Sequence, residues 1–128
     1  MSVVRFLPTV AIRPTPAAAR IIGALDYAAS FLGLDLTVTS GAEELIPPRA
    51  ASDPHMTGEA FDVRVNDLAP KDIRRVYEAL RSVLEAGDFT VLFEGPKPHP
   101  ELADIQYMNP KATGFHFHIQ RKKGTVFP

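Results

Sequence analysis

Four histidines are all that a chain of 128 residues offers: His55, His99, His116 and His118. Two of them form His116-Phe117-His118. A third opens His55-Met56-Thr57-Gly58-Glu59-Ala60-Phe61-Asp62, in which an aspartate follows seven positions on. On a strand, side chains alternate between faces, so His116 and His118 point one way while Phe115, Phe117 and Ile119 point the other, into a core. Taken alone, such a His-x-His is more often a polar strand face than a metal site. The first motif changes the weighing, because Gly58 permits a sharp turn that aims His55 and Asp62 at one point. Two imidazoles, one carboxylate and a coordination place left for solvent are the donors of a catalytic zinc rather than a structural one. Such an ion lowers the pKa of bound water to about 7 and polarises a carbonyl. A nearby carboxylate must still take the proton and return it to the leaving amine.

Composition narrows the alternatives. There is no cysteine, which removes disulfides and thiolate ligands and leaves nitrogen and oxygen as metal donors. The net charge of −1 gives no argument for nucleic acid or an anionic membrane as partner. Arg121-Lys122-Lys123 is too short a run to change that, and reads as a solvated strand end. Met1 to Val10 lacks a basic segment followed by a long apolar run, so no secretory signal is expected. No stretch approaches the roughly 18 apolar residues of a membrane helix. Neither a glycine-rich phosphate loop nor a nucleophile elbow is present, so phosphoryl transfer and serine hydrolysis find no support.

The elements that must position these residues follow from periodicity. Thr15-Pro16 starts a helix, Ile21, Leu25, Ala28 and Leu32 recur along it, and Gly33 ends it. A second helix follows Pro70, with Ile73, Val76, Tyr77, Leu80, Val83 and Leu84 as its stripe and Gly87 as its close. Alternation predicts strands at Leu34 to Thr39, Phe61 to Val65, Thr90 to Glu94 and Phe115 to Gln120, with an early one near Val10 to Ile12. Two long proline-bearing loops remain, Gly41 to Pro54 and Gly95 to Gly114, and loops of that length are usually functional or disordered. The expected architecture is α+β: one domain over residues 1–128, a mostly antiparallel sheet with two main helices packed on one side.

With these residues in view, Thr39-Ser40-Gly41, Ser52-x-x-His55-x-x-Gly58-x-Ala60-x-Asp62 and His116-x-His118 together resemble the zinc D-alanyl-D-alanine peptidases of the M15 type, which share a metal-site fold with the hedgehog signalling domain. The likeness covers roughly residues 35 to 120, about two thirds of the chain. It implies one zinc ion held by His55, Asp62 and His118, with His116 beside it to stabilise the developing oxyanion. An acidic residue usually precedes the last histidine closely in that family, and Lys111 to Phe115 offers none. Compact phage-type relatives tend to end the preceding strand in Glu and re-enter at once at His-x-His. That points to Glu94 as general base and acid, with residues 95 to 114 as an insertion. An arginine that pairs with the substrate carboxylate commonly follows the Ser-Gly turn; here Glu43 and Glu44 stand there, and Arg49 is the nearest candidate, with Ser40 beside it. Ser52 is a candidate to orient a ligand, and His99 reads as a loop histidine whose only metal partner would be Asp104.

The function this resemblance implies is a monomeric zinc peptidase hydrolysing peptidoglycan stem or cross-link peptides, as a D-Ala-D-Ala carboxypeptidase or endopeptidase. It would be cytoplasmic as synthesised, and phage-borne, released by lysis or carried on the virion. The alternative is a binding module in a phage or cell-wall assembly that keeps the metal and has lost catalysis. In that case the 95–114 segment would serve partner contact.

Overall fold

A computed structural model describes residues 2–123. Along the chain run β1 (Val4–Phe6), α1 (Pro16–Leu32), β2 (Leu36–Ser40), β3 (Ala60–Arg64), α2 (Pro70–Val83), β4 (Phe89–Gly95), β5 (Gln106–Met108) and β6 (His116–Arg121). They form one six-stranded sheet in the order β1-β2-β3-β6-β4-β5. The three central pairings, β2–β3, β3–β6 and β6–β4, are antiparallel, whereas β1–β2 and β4–β5 at the edges are parallel. The expectation of a mostly antiparallel sheet therefore holds for the centre and not for the sheet as a whole. Parallel neighbours need a crossover: α1 supplies it between β1 and β2, and residues 96–105 supply it between β4 and β5.

Period two divides the sheet cleanly. Phe61, Val63, Phe89, Val91, Phe93, Phe117 and Ile119 turn to one face and join Ile21, Leu25, Ile73, Val76 and Leu80 of the helices in a single buried core. The register sets Phe61 and Val91 against Ile119, and Val63 and Phe93 against Phe117. The other face carries polar rows. Asp62 and Leu92 flank His118, while Arg64 and Glu94 flank His116. One face holds the molecule together and the other is left for chemistry.

Helix α1 begins as expected. Thr15 accepts from the Ala18 N–H at 3.0 Å, and Gly33 closes the helix in the left-handed region at φ 68°. Helix α2 ends earlier than expected. Leu84, not Gly87, is its cap, because Leu84 is buried and the Asp88 and Phe89 N–H groups turn back onto the Glu85 carbonyl. Val83, placed on the apolar stripe, is 41% exposed. The strand expected at Val10 to Ile12 is absent, and the first strand lies at Val4–Phe6. Pro8 and Pro14 bracket that stretch, the Val10 N–H closes a turn onto Leu7, and Ala11 alone reaches the neighbouring segment, its carbonyl accepting from Ala42 at 2.7 Å and its N–H donating to the Glu43 side chain at 3.4 Å. β5 was hidden inside the second loop, three residues being too few to show a period.

Candidate metal centre

His55 comes from the loop after β2, Asp62 from β3 and His118 from β6. Their donor atoms all lie within 4.8 Å of one another. His55 Nε2 stands 3.4 Å from Asp62 Oδ2, and His118 Nδ1 stands 2.8 Å from Asp62 Oδ1. Donors on a tetrahedral zinc with bonds of about 2.1 Å sit about 3.4 Å apart, so the cluster needs only small side-chain movement to share an ion. His55 is buried and the other two are largely so.

The far nitrogens decide which atoms face the ion. His55 Nδ1 donates to the Gly41 carbonyl at 2.9 Å, and His118 Nε2 donates to Gln120 Oε1 at 2.7 Å. Each bond places a proton on the outer nitrogen, so the inner nitrogen, now turned to the Asp62 carboxylate, is the one that would give up its proton and offer a lone pair to a metal. Burial alone would raise the Asp62 carboxyl, but hydrogen bonds from His118 and His55 outweigh it and hold the group well below the usual carboxylate range. Burial likewise works to lower His118, and the bond and charge of Asp62 reverse it, so His118 is raised.

Local folding explains how the loop delivers His55. Asp53 Oδ1 accepts from the His55 N–H at 2.8 Å, a side-chain turn. Gly58 takes φ 80°, and an added Cβ there would lie 2.8 Å from the Arg13 carbonyl oxygen. Only glycine meets both demands. Thr15, the cap of α1, donates to the Gly58 carbonyl at 2.9 Å and so ties this turn to the helix. Glu59 pairs with Arg121 at 2.5 Å on the other side.

Glu94 and His116 form the next row of the same face, joined by His116 Nε2 to Glu94 Oε1 at 2.8 Å. That bond lowers the Glu94 carboxyl and raises the His116 imidazole. The charge of His118 also acts on Glu94, and that of Asp62 acts on His116, so the pair borders the triad.

Arg49 and Ser40 lie beside the centre but are engaged elsewhere. Arg49 donates to Ser40 Oγ at 2.6 Å and to the Glu43 and Gly41 carbonyls at 3.0 and 3.3 Å, and pairs with Glu43. The Ser40 hydroxyl donates to Glu43. Arg49 thus braces the carbonyl that holds His55. Ser52 is exposed and touches none of the three donors. His99 accepts the Glu101 and Leu102 N–H groups at 3.0 and 3.1 Å, while Asp104 is paired with Arg74 at 2.8 Å, so no second metal cluster forms there. Gln120 is a partner that the sequence motifs do not single out. It lies two residues beyond His118 on the same strand face, and that spacing was the available signal.

Comparison with protein-family models, with curated proteins and with solved structures gives no match. Among the described residues, no helix is long and apolar enough to cross a membrane.

Proposed function

We propose that the chain is a zinc-dependent peptidase of the M15 type, with the hedgehog/D-Ala-D-Ala-peptidase fold, acting on peptidoglycan stem or cross-link peptides. The observation that carries this reading is the convergence of His55, Asp62 and His118, with both outer imidazole nitrogens on oxygen acceptors. When bound, the ion supplies Lewis-acid chemistry, polarising a carbonyl and acidifying water. The rest belongs to the chain. Glu94, ionised and one row away, holds a carboxylate oxygen ready to take a proton and later return it to the leaving amine. His116, which borders the centre with its Nε2 on Glu94 and its Nδ1 on the Gly114 carbonyl, would have to turn from one of these acceptors to donate to an oxyanion.

The test is hydrolysis of purified muropeptides by zinc-loaded protein, with Glu94→Gln and His118→Ala alongside. Turnover by wild type that drops in both variants supports the peptidase; wild-type turnover no higher than theirs removes it.

A second reading, a metal-holding binding module without catalysis, draws on the Glu94–His116 bond, which occupies the carboxylate assigned here as base. That reading expects zinc at one ion per chain and no turnover.

A further inference from the structure

Glu94 is gripped from both sides of its strand. In the sheet order β4 lies between β6 and β5, so His116 meets Glu94 from one neighbour and the end of β5 faces it from the other. Tyr107 is the β5 residue in register with Glu94. Asn109 follows two positions on, where period two returns the side chain to the same polar face. There the Asn109 side-chain amide donates to the Glu94 carboxylate. Glu94 is only 7% exposed, so little water competes for that bond.

The other bonds of Asn109 leave its amide one direction. Its backbone N–H donates to the Gly95 carbonyl at 2.9 Å, and its own carbonyl accepts from Ala112 at 3.0 Å. Its Oδ1 accepts the Lys111 N–H at 3.1 Å, the turn that an asparagine forms with the backbone two residues on. With Oδ1 so used, the NH2 group is what remains to meet Glu94, and it can only donate. A carboxylate has about four lone-pair sites, so Glu94 can hold His116 and Asn109 together. The two partners differ in their duties. His116 must turn from an acceptor to serve an oxyanion, whereas Asn109 has no other task. A carboxylate held by His116 alone would be free to rotate at the moment it has to receive a proton, and small misplacements of a reacting group are costly. His116 lowers the Glu94 carboxyl most, against burial, and Asn109 adds to it.

We propose that Asn109 is a positioning residue for Glu94: its amide keeps the carboxylate in place while His116 turns to the reacting carbonyl. The long connection between β4 and β6 thereby supplies part of the machinery. This rests on the peptidase reading above, with Glu94 as base.

The experiment has two arms on zinc-loaded protein. In the first, the Asn109 side-chain amide resonances, identified by their loss in Asn109→Asp, are followed by nuclear magnetic resonance at neutral pH. They are expected to stand downfield and to move upfield in Glu94→Ala. In the second arm, muropeptide hydrolysis is measured against pH. Asn109→Asp keeps the turn acceptor and replaces the donor with a like charge. It should lower kcat about 10- to 100-fold with KM unchanged, the range for a hydrogen bond to a charged group. It should also move the acid limb of the kcat/KM profile to higher pH, because the ionised form of Glu94 has lost a donor and gained a like charge. Asn109→Ala should act in the same direction by about tenfold, and serves if the aspartate variant does not fold. Amide resonances indifferent to Glu94→Ala, or kcat and the acid limb unchanged in both Asn109 variants, overturn the proposal. Loss of fold in both overturns it too, since Asn109 would then serve the scaffold alone. The first arm separates the two claims. Resonances that respond to Glu94 without wild-type turnover sink the peptidase and leave the bond, whereas turnover with unresponsive resonances sinks the positioning role and leaves the peptidase.

Discussion

Each imidazole of the centre is gripped from behind by an oxygen, and the two grips differ in kind. His55 is held by the Gly41 backbone carbonyl, which no substitution removes directly, and His118 by the Gln120 side chain, which one substitution does. Gln120→Leu should therefore weaken zinc binding about 10- to 100-fold by competition titration, with the folded circular dichroism spectrum kept. Unchanged affinity would show that Gln120 does not set the tautomer. Glu94→Gln should lower turnover about 10²- to 10⁴-fold at full zinc occupancy, measured by steady-state hydrolysis. His55, Asp62 and His118 were legible because histidine is scarce and period two is a strong constraint. Gln120 was not, because a glutamine on a strand face is ordinary until its partner is seen.

At the level of elements, the 95–114 segment is built into the sheet rather than laid over it. Its strand β5 extends β4, Leu102 is buried, and Phe115 stacks on Phe93 with ring centroids 5.8 Å apart. Phe115 also lies over Gly95, where an added Cβ would come within 2.3 Å of its ring. Gly95→Ala should thus cost about 1–3 kcal/mol in chemical denaturation. It should also reduce turnover, since Glu94 and His116 adjoin the two displaced residues. A neutral result would mean that the Phe115 ring moves freely. The long connection itself was readable as a break between the strands of Glu94 and His116. Its internal strand was not, because edge strands of three residues are fixed by their neighbour and carry no pattern of their own. The missed limit of α2 has a similar origin: burial of Leu84 outweighed the local preference for a glycine cap.

Across the whole molecule, the core face and the polar face share the same three central strands, so the metal and the fold are coupled. Asp62, His118 and the carbonyl behind His55 stand on or beside strands whose alternate residues, Phe61, Val63, Phe117 and Val38, fill the core. Zinc at 100 times its dissociation constant should stabilise the fold by about 2.7 kcal/mol. For a chain of this size that is a rise of about 10 °C in the thermal midpoint, and Asp62→Ala should abolish it. The α+β class and the helix-covered sheet were legible from apolar periodicity. The parallel edges were not, because strand direction depends on where the crossovers lie. All of this turns on one shared ion, and anomalous diffraction at the zinc edge from untagged crystals tests it most directly. The expected result is a single peak about 2.1 Å from His55 Nε2, an Asp62 carboxylate oxygen and His118 Nδ1. No peak there, or a peak bound elsewhere in a chain of the same fold, would contradict it.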